Sequence, residues 1–152
     1  MKKVTFQYSR ISSLLFTILP LGIILMSVPN LIKFIKTHDT TNWLLILSFD
    51  FFFLLLLVYI IFKQLVPALQ GKIALEINQD GIISYVRNFD ISWEDVQRIE
   101  LKTGKSSSSL YITFKYETDH GRNLRISLGF VDGNESQIYD TVITYFEKSK
   151  LS

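Results

Sequence analysis

The sequence predicts a membrane α-helical hairpin followed by an α+β domain, in which a bent antiparallel sheet is closed by a C-terminal helix. Three observations carry that prediction. Residues 11–32 contain no charged side chain and residues 43–62 contain one, Asp50. Each stretch therefore supplies the roughly twenty apolar residues that a spanning helix needs. After residue 72 the apolar residues recur at every second position, the period of a strand, and residues 134–150 return to a helical stripe.

Composition agrees with an uneven chain. Hydrophobic residues make up 48% of the 152 positions, and mean hydropathy is +0.26. The apolar residues crowd into the first half, where they surround each helix on all sides, as a buried helix of a soluble protein seldom allows. Met1-Lys2-Lys3 would suit a signal peptide, but no small-x-small cleavage site follows Val28, so the first stretch reads as a retained span. The chain has no cysteine, which excludes disulfides and thiol chemistry and suits a reducing compartment. The net charge of +2 is divided: residues 1–70 carry six basic and two acidic side chains (+4), and residues 71–152 carry ten and twelve (−2). An acidic C-terminal half excludes nucleic acid as a partner, because phosphate binding needs a basic face.

The predicted organisation is a two-span unit over residues 1–70, with spans at about 11–32 and 43–62, and a soluble domain over residues 71–152. Residues 33–42, KFIKTHDTTN, allow only a tight hairpin connection. Lys2, Lys3, Arg10, Lys63 and Lys72 flank one end of the hairpin, against Lys33 and Lys36 at the other. That bias places both termini in the cytoplasm, with the lipid bilayer as a standing partner. Trp43 and Tyr59 suit interfacial anchors. Residues 63–72, KQLVPALQGK, read as a juxtamembrane linker punctuated by Pro67 and Gly71.

In the soluble half, Ile73, Leu75 and Ile77 alternate with polar or small residues ahead of a turn at Asn78-Gln79-Asp80-Gly81. A second extended run follows through Tyr85 and Val86. In SLYITFKYE, Leu110, Ile112, Phe114 and Tyr116 share one face while Tyr111, Thr113, Lys115 and Glu117 share the other. Asp119 to Gly121 turns the chain. Leu124, Ile126, Leu128 and Phe130 then point inward, with Arg125 and Ser127 outward. The final helix buries Ile138, Val142, Tyr145 and Phe146, widened by Tyr139 and Ile143, and presents Asp140, Thr144 and Glu147 to water.

The most distinctive stretch is DISWEDVQRIEL, residues 90–101. Ser92 followed three residues later by Asp95 fits a capping box over one helical turn, which turns Trp93 and Val96 inward as core residues. LEINQDGIISY, ISWEDVQRIEL, an alternating hairpin and a closing helix together resemble bacterial pleckstrin-homology-like domains. More narrowly, the chain resembles small bacterial membrane proteins with a two-helix hairpin followed by such a domain, over nearly its whole length. The resemblance implies a strongly bent sheet of about seven strands and no common enzymatic activity; some members are suspected immunity or stress proteins. Lipid-binding members of the wider class place cations around the first strand-to-strand turn. Here that turn is Asn78-Gln79-Asp80-Gly81, whose carboxylate would oppose a headgroup, so no specific phosphoinositide binding is expected.

Catalytic and metal chemistry find no support. His38 lies in the hairpin connection and His120 in a β-turn, on opposite sides of the predicted bilayer, so they share no metal or proton path. Gly104-Lys105-Ser106 fails as a phosphate loop, because position 99 is isoleucine rather than glycine and a strand rather than a helix follows. Glu94 and Asp95 are turn neighbours without a third ligand. No cofactor is expected. The serine run Lys105, Ser106, Ser107, Ser108 and Ser109 reads as a flexible hairpin loop offered to a partner.

Asp50 remains. It costs roughly 3 kcal/mol to insert, against about −5 to −10 kcal/mol from the sixteen Leu, Ile, Phe and Val residues of its span. The span therefore inserts with its acid. A protonated Asp50 is expected to pin the hairpin through Ser27, or through the Leu25 carbonyl that Pro29 cannot reach. The alternatives are an intramembrane partner and a transport path. The functional expectation is a non-enzymatic, membrane-anchored protein-interaction module. Its partner is another protein, either a soluble toxin neutralised at the membrane or a membrane protein. The alternative expectation is a subunit of a transport or envelope-enzyme complex using Asp50.

Overall fold

A computed structural model describes residues 2–37, 43–104, 107–119 and 121–151. The chain divides into two compact units: residues 10–70, which are helical, and residues 1–9 with 71–152, which form the β unit.

In the helical unit, α1 (Arg10–Thr37) and α2 (Trp43–Ile60) pack antiparallel. α2 continues through a π turn (Ile61–Leu65) into α3 (Val66–Leu69). Each helical run is about 40 Å long at 1.5 Å per residue, beyond the roughly 30 Å of a hydrocarbon core. Both are long and apolar enough to cross a membrane, over Arg10–Lys33 and Leu44–Leu69. Pro20 and Pro29 lie inside α1 without ending it. The least exposed positions recur at Thr17, Pro20, Ile24, Ser27 and Leu31 on α1, and at Ile46, Asp50, Phe53, Leu57 and Ile60 on α2. Steps of three and four residues are the spacing of helices packed as in a coiled coil, and Asp50 sits on that seam.

The linker expected over residues 63–72 is mostly helix. Pro67 has no N–H, and its ring would press on the carbonyl of Lys63 in a regular helix. The widened turn absorbs the conflict, with the Val66 N–H donating to the Ile61 carbonyl five residues back. The connection proper shrinks to Gln70-Gly71-Lys72, where Gly71 adopts φ +65°, a value that glycine reaches without strain.

The β unit has seven antiparallel strands in two sheets. The first holds β1 (Val4–Gln7), β2 (Ile73–Ile77), β3 (Gly81–Ser84) and β4 (Phe89–Ser92), in that order. The second holds β5 (Val96–Thr103), β6 (Ser108–Thr118) and β7 (Gly121–Ser127). Helix α4 (Glu135–Ser149) starts at Asn134, whose side chain accepts from the Ser136 N–H, and packs on β2 and the turn after β4. Leu75, Ile77, Ile82, Val96, Leu110, Ile112, Leu128, Ile138 and Val142 are fully buried and form the core from both sheets and α4.

The boundary expected at residue 70 coincides with the end of the helical unit, but residues 2–9, expected with the two-span unit, fold with the β unit through β1. Val4, Thr5 and Phe6 pair with Ile77, Glu76 and Leu75, so the N-terminal strand completes the first sheet and the helical unit is an insertion between β1 and β2. The other side of this segment is also engaged: the Ser9 N–H donates to the Phe130 carbonyl (2.8 Å), and the Asp132 N–H donates to the Gln7 carbonyl (2.8 Å). This protects an otherwise open strand edge. Two face assignments also change. β2 is buried from Ala74 to Ile77, including Glu76, whose carboxylate is reached by Lys3 and Tyr85. Tyr116 is 75% exposed rather than inward, because the β6–β7 register shifts between Thr113 and Thr118.

Candidate functional site

The motif after β4 is a built structural corner. The turn Trp93–Asp95 is a single 3-10 turn, and Ser92 caps it by accepting the Glu94 N–H at 3.3 Å. This differs from the expected capping box, in which Asp95 would close the turn; its side chain is exposed. Trp93 and Val96 are buried as the spacing predicts, at 3% and 0% exposure. The indole Nε1–H donates to the Asn78 carbonyl (3.0 Å), the Trp93 N–H donates to the Asp80 carbonyl (2.9 Å), and the ring centroid lies 6.0 Å from that of Phe146 on α4. Trp93 thus ties the β2–β3 turn, the 3-10 turn and the closing helix together. Asn78 organises that turn by accepting the Asp80 and Gly81 N–H groups on Oδ1, both at 2.9 Å. A polar cavity of about 500 Å³ opens beside this corner, bordered by Asp80, Ser92, Glu94, Lys115 and Lys150. Its two carboxylates and two ammonium groups select neither charge.

Two residues of the serine run, Ser108 and Ser109, lie in a strand rather than in the expected loop. Lys105 and Ser106 lie outside the described residues, as do His38 and His120. Ser107 is half-buried. Ser108 and Ser109 begin β6 and are each 1% exposed, so their side chains are closed to a partner. Ser108 is held by Glu135 at the start of α4: its N–H donates to Oε1 (2.9 Å) and its hydroxyl donates to Oε2. Ser109 Oγ accepts from Arg125 Nε at 3.0 Å. Serine spacing alone gives no sign of this latch, because Glu135 is 27 residues away and becomes a partner only through the sheet register.

In the helical unit, Ser27 lines an apolar cavity of about 450 Å³ with Ile23, Met26, Leu45, Ile46 and Phe49. Its hydroxyl donates to the Ile24 carbonyl at 2.7 Å. Asp50 is on the helix-facing seam, as the pinning expectation requires, yet neither carboxyl oxygen has a hydrogen-bond partner and both are buried. The expected Asp50–Ser27 bond is therefore not made, because Ser27 satisfies itself within α1. Ser13 Oγ and Gln64 Oε1 are likewise buried without a partner, so every such side-chain atom among the described residues belongs to the helical unit.

Elsewhere, the buried Glu76 accepts from Lys3 Nζ at 3.2 Å, a contact that joins β1 to β2 across 73 positions. Tyr145 donates from its hydroxyl to the Lys2 carbonyl. Among the described residues, no three histidine, cysteine, aspartate or glutamate side chains come together as a metal site would need. Comparison of the chain with protein-family models, with curated proteins and with solved structures finds no match in any of the three.

Proposed function

We propose that this chain is a non-enzymatic, membrane-anchored protein-interaction module, in which a two-span hairpin holds a pleckstrin-homology-like domain at the cytoplasmic face of a bacterial inner membrane. The observation that carries the reading is the insertion of an apolar hairpin between two paired strands. β1 and β2 are neighbours, so both ends of the hairpin lead into one folded body and belong on one side of the bilayer. The basic residues Lys2, Lys3, Arg10, Lys63 and Lys72 favour the cytoplasmic side. A four-stranded and a three-stranded antiparallel sheet with a closing helix support the pleckstrin-homology-like assignment. The polar groups of the β unit that sequence motifs single out, Ser92, Trp93, Ser108 and Ser109, are spent on turns and latches, so a partner would meet other exposed residues of the strand faces. A specific form of this reading is an immunity protein that intercepts a toxin at the membrane.

Photo-crosslinking in cells, from positions on the exposed strand faces, tests the proposal. Crosslinks to a polypeptide other than the chain itself, with activity that survives Asp50→Asn, are the expected result. A chain that forms no such crosslink and loses its activity on Asp50 substitution would leave the second reading, a subunit of a transport or envelope-enzyme complex. The two unpartnered Asp50 oxygens are the observation favouring that alternative, since an intramembrane acid left unsatisfied is costly to keep.

A further inference from the structure

The outer face of the second sheet collects positive charge that the β unit as a whole does not have. The unit carries twelve basic and twelve acidic side chains in sequence. Strand register puts Glu100, Tyr111 and Arg125 in one cross-strand row, Arg98 and Thr113 in the row to one side, and Lys102 and Ser109 in the row to the other. Opposite neighbours on paired strands share a face, so these side chains form one surface. Lys102 Nζ sits 4.4 Å from the centroid of the Tyr111 ring, and the Arg125 guanidinium carbon sits 5.8 Å from it. Arg125 is also held by Ser109 Oγ. Arg87, from the β3–β4 turn, reaches the Arg125 carbonyl at 3.4 Å and adds a further cation beside the row. Within these three rows the acid is Glu100, and it is already paired to Arg98 at 2.8 Å. Arg87, Arg98, Lys102 and Arg125 are all exposed.

We infer that this face, centred on Lys102, Tyr111 and Arg125, docks an acidic segment of a partner polypeptide. The inference rests on the interaction-module reading and names the surface and the partner's chemistry. Two cations stacked against one ring and a third tied to the strand backbone are partly ordered before binding, so little side-chain freedom is lost when carboxylates arrive. Arg125 can meet a carboxylate with a paired set of donors, and Lys102 adds a point charge. The face is flat and polar, and the exposed large apolar side chains of the unit among the described residues, Tyr85, Tyr116 and Leu151, lie off its rows. A surface that entered lipid would need apolar side chains to insert, so a polypeptide fits it better than a bilayer does.

The test uses the full chain in phosphatidylcholine nanodiscs, titrated against fluorescein-labelled poly-L-glutamate and read by anisotropy. Binding that weakens with salt is expected, and the double variant Lys102→Glu/Arg125→Glu should weaken it at least about tenfold, as reversal of paired contact charges does. Lys102→Gln/Arg125→Gln, which removes charge without adding repulsion, should give a smaller loss and guards against misfolding of the reversed variant. Lys148→Glu/Lys150→Glu, which makes the same charge change on α4, should leave affinity within about twofold, since neither lysine lies in the rows of the second sheet. Equal losses from the α4 and sheet variants, or none from either sheet variant, would overturn the inference. So would binding to phosphatidylglycerol vesicles in place of poly-glutamate, which would assign the face to lipid. Cellular crosslinks that persist in the sheet variants would leave the module reading standing while removing this surface from it.

Discussion

Gly81 shows how little room one position of the β unit leaves. A Cβ there would stand 1.8 Å from the Ile91 carbonyl oxygen, on the strand paired with its own. The constraint is close approach of backbones rather than an unusual φ, and backbone cannot swing away as a flexible side chain does. Gly81→Ala is expected to destabilise the β unit by at least about 3 kcal/mol, measurable as faster amide exchange in β3 and β4. Asp50 argues the opposite way. Its two buried oxygens have no partner, so Asp50→Leu should strengthen the hairpin by about 1–3 kcal/mol. In this cysteine-free chain, Ser27→Cys paired with Ile46→Cys reports the hairpin directly, because both positions line one cavity. Crosslinking that survives Asp50→Leu would match the unpartnered carboxyl, and its loss would restore the pinning role. Tyr8 supplies a pH effect. Burial pushes its phenol above the ordinary value near 10. The unfolded chain therefore ionises first, and stability that is full below about pH 10 is lost as pH rises through the raised folded value. Tyr8→Phe should flatten that fall in an alkaline titration followed by circular dichroism.

At the scale of elements, β1 is where local pattern gave least warning. Val4 to Gln7 is four residues long, and its alternation is too short to stand out beside an apolar run. Its partner strand lies about seventy positions away, and no local preference encodes a pairing of that range. Removing residues 2–8 should open β2, and amides of Ile73–Ile77 should exchange faster while those of β6 keep most of their protection. Uniform loss across both sheets would mean that β1 nucleates the whole unit. By contrast, α4 and the first part of β6 were legible, because each buries a regular set of apolar residues and period alone reports it, while β2 was legible as a strand but not in the burial of Ala74 and Glu76. The same logic explains the end of the hairpin. Pro67 reads as a stop, yet a π turn carried the helix past it to Leu69. Ser108 and Ser109 depart from the expected loop for the converse reason. Serine has weak strand preference, so Ser108 and Ser109 suggested a loop until Glu135 and Arg125 supplied partners. The Ser92–Val96 corner was the part of the candidate site most readable in advance, since Trp93 and Val96 announce burial by their chemistry.

On the scale of the whole molecule, the two units should answer to different conditions. In alkaline carbonate the β unit meets the range in which the raised Tyr8 phenol begins to favour unfolding, whereas retention of the proposed hairpin rests on two long apolar helices. The chain is expected to stay in the vesicle pellet, with any loss of strand signal smaller in Tyr8→Phe. Recovery in the supernatant would remove the hairpin from the bilayer and the proposed function with it. The order of synthesis adds a further consequence of the inserted helices. β1 leaves the ribosome first but cannot close its sheet until β2 appears after the helices have been made. At 5–20 residues per second, the intervening chain takes roughly 3–13 s to translate. In the proposed two-span arrangement, a chain in which one helix alone crossed would leave β1 and β2 on opposite sides of the lipid. Closure of the first sheet would then require the two helices to cross as a pair, and a chain caught halfway would keep an unpaired strand edge open to proteases.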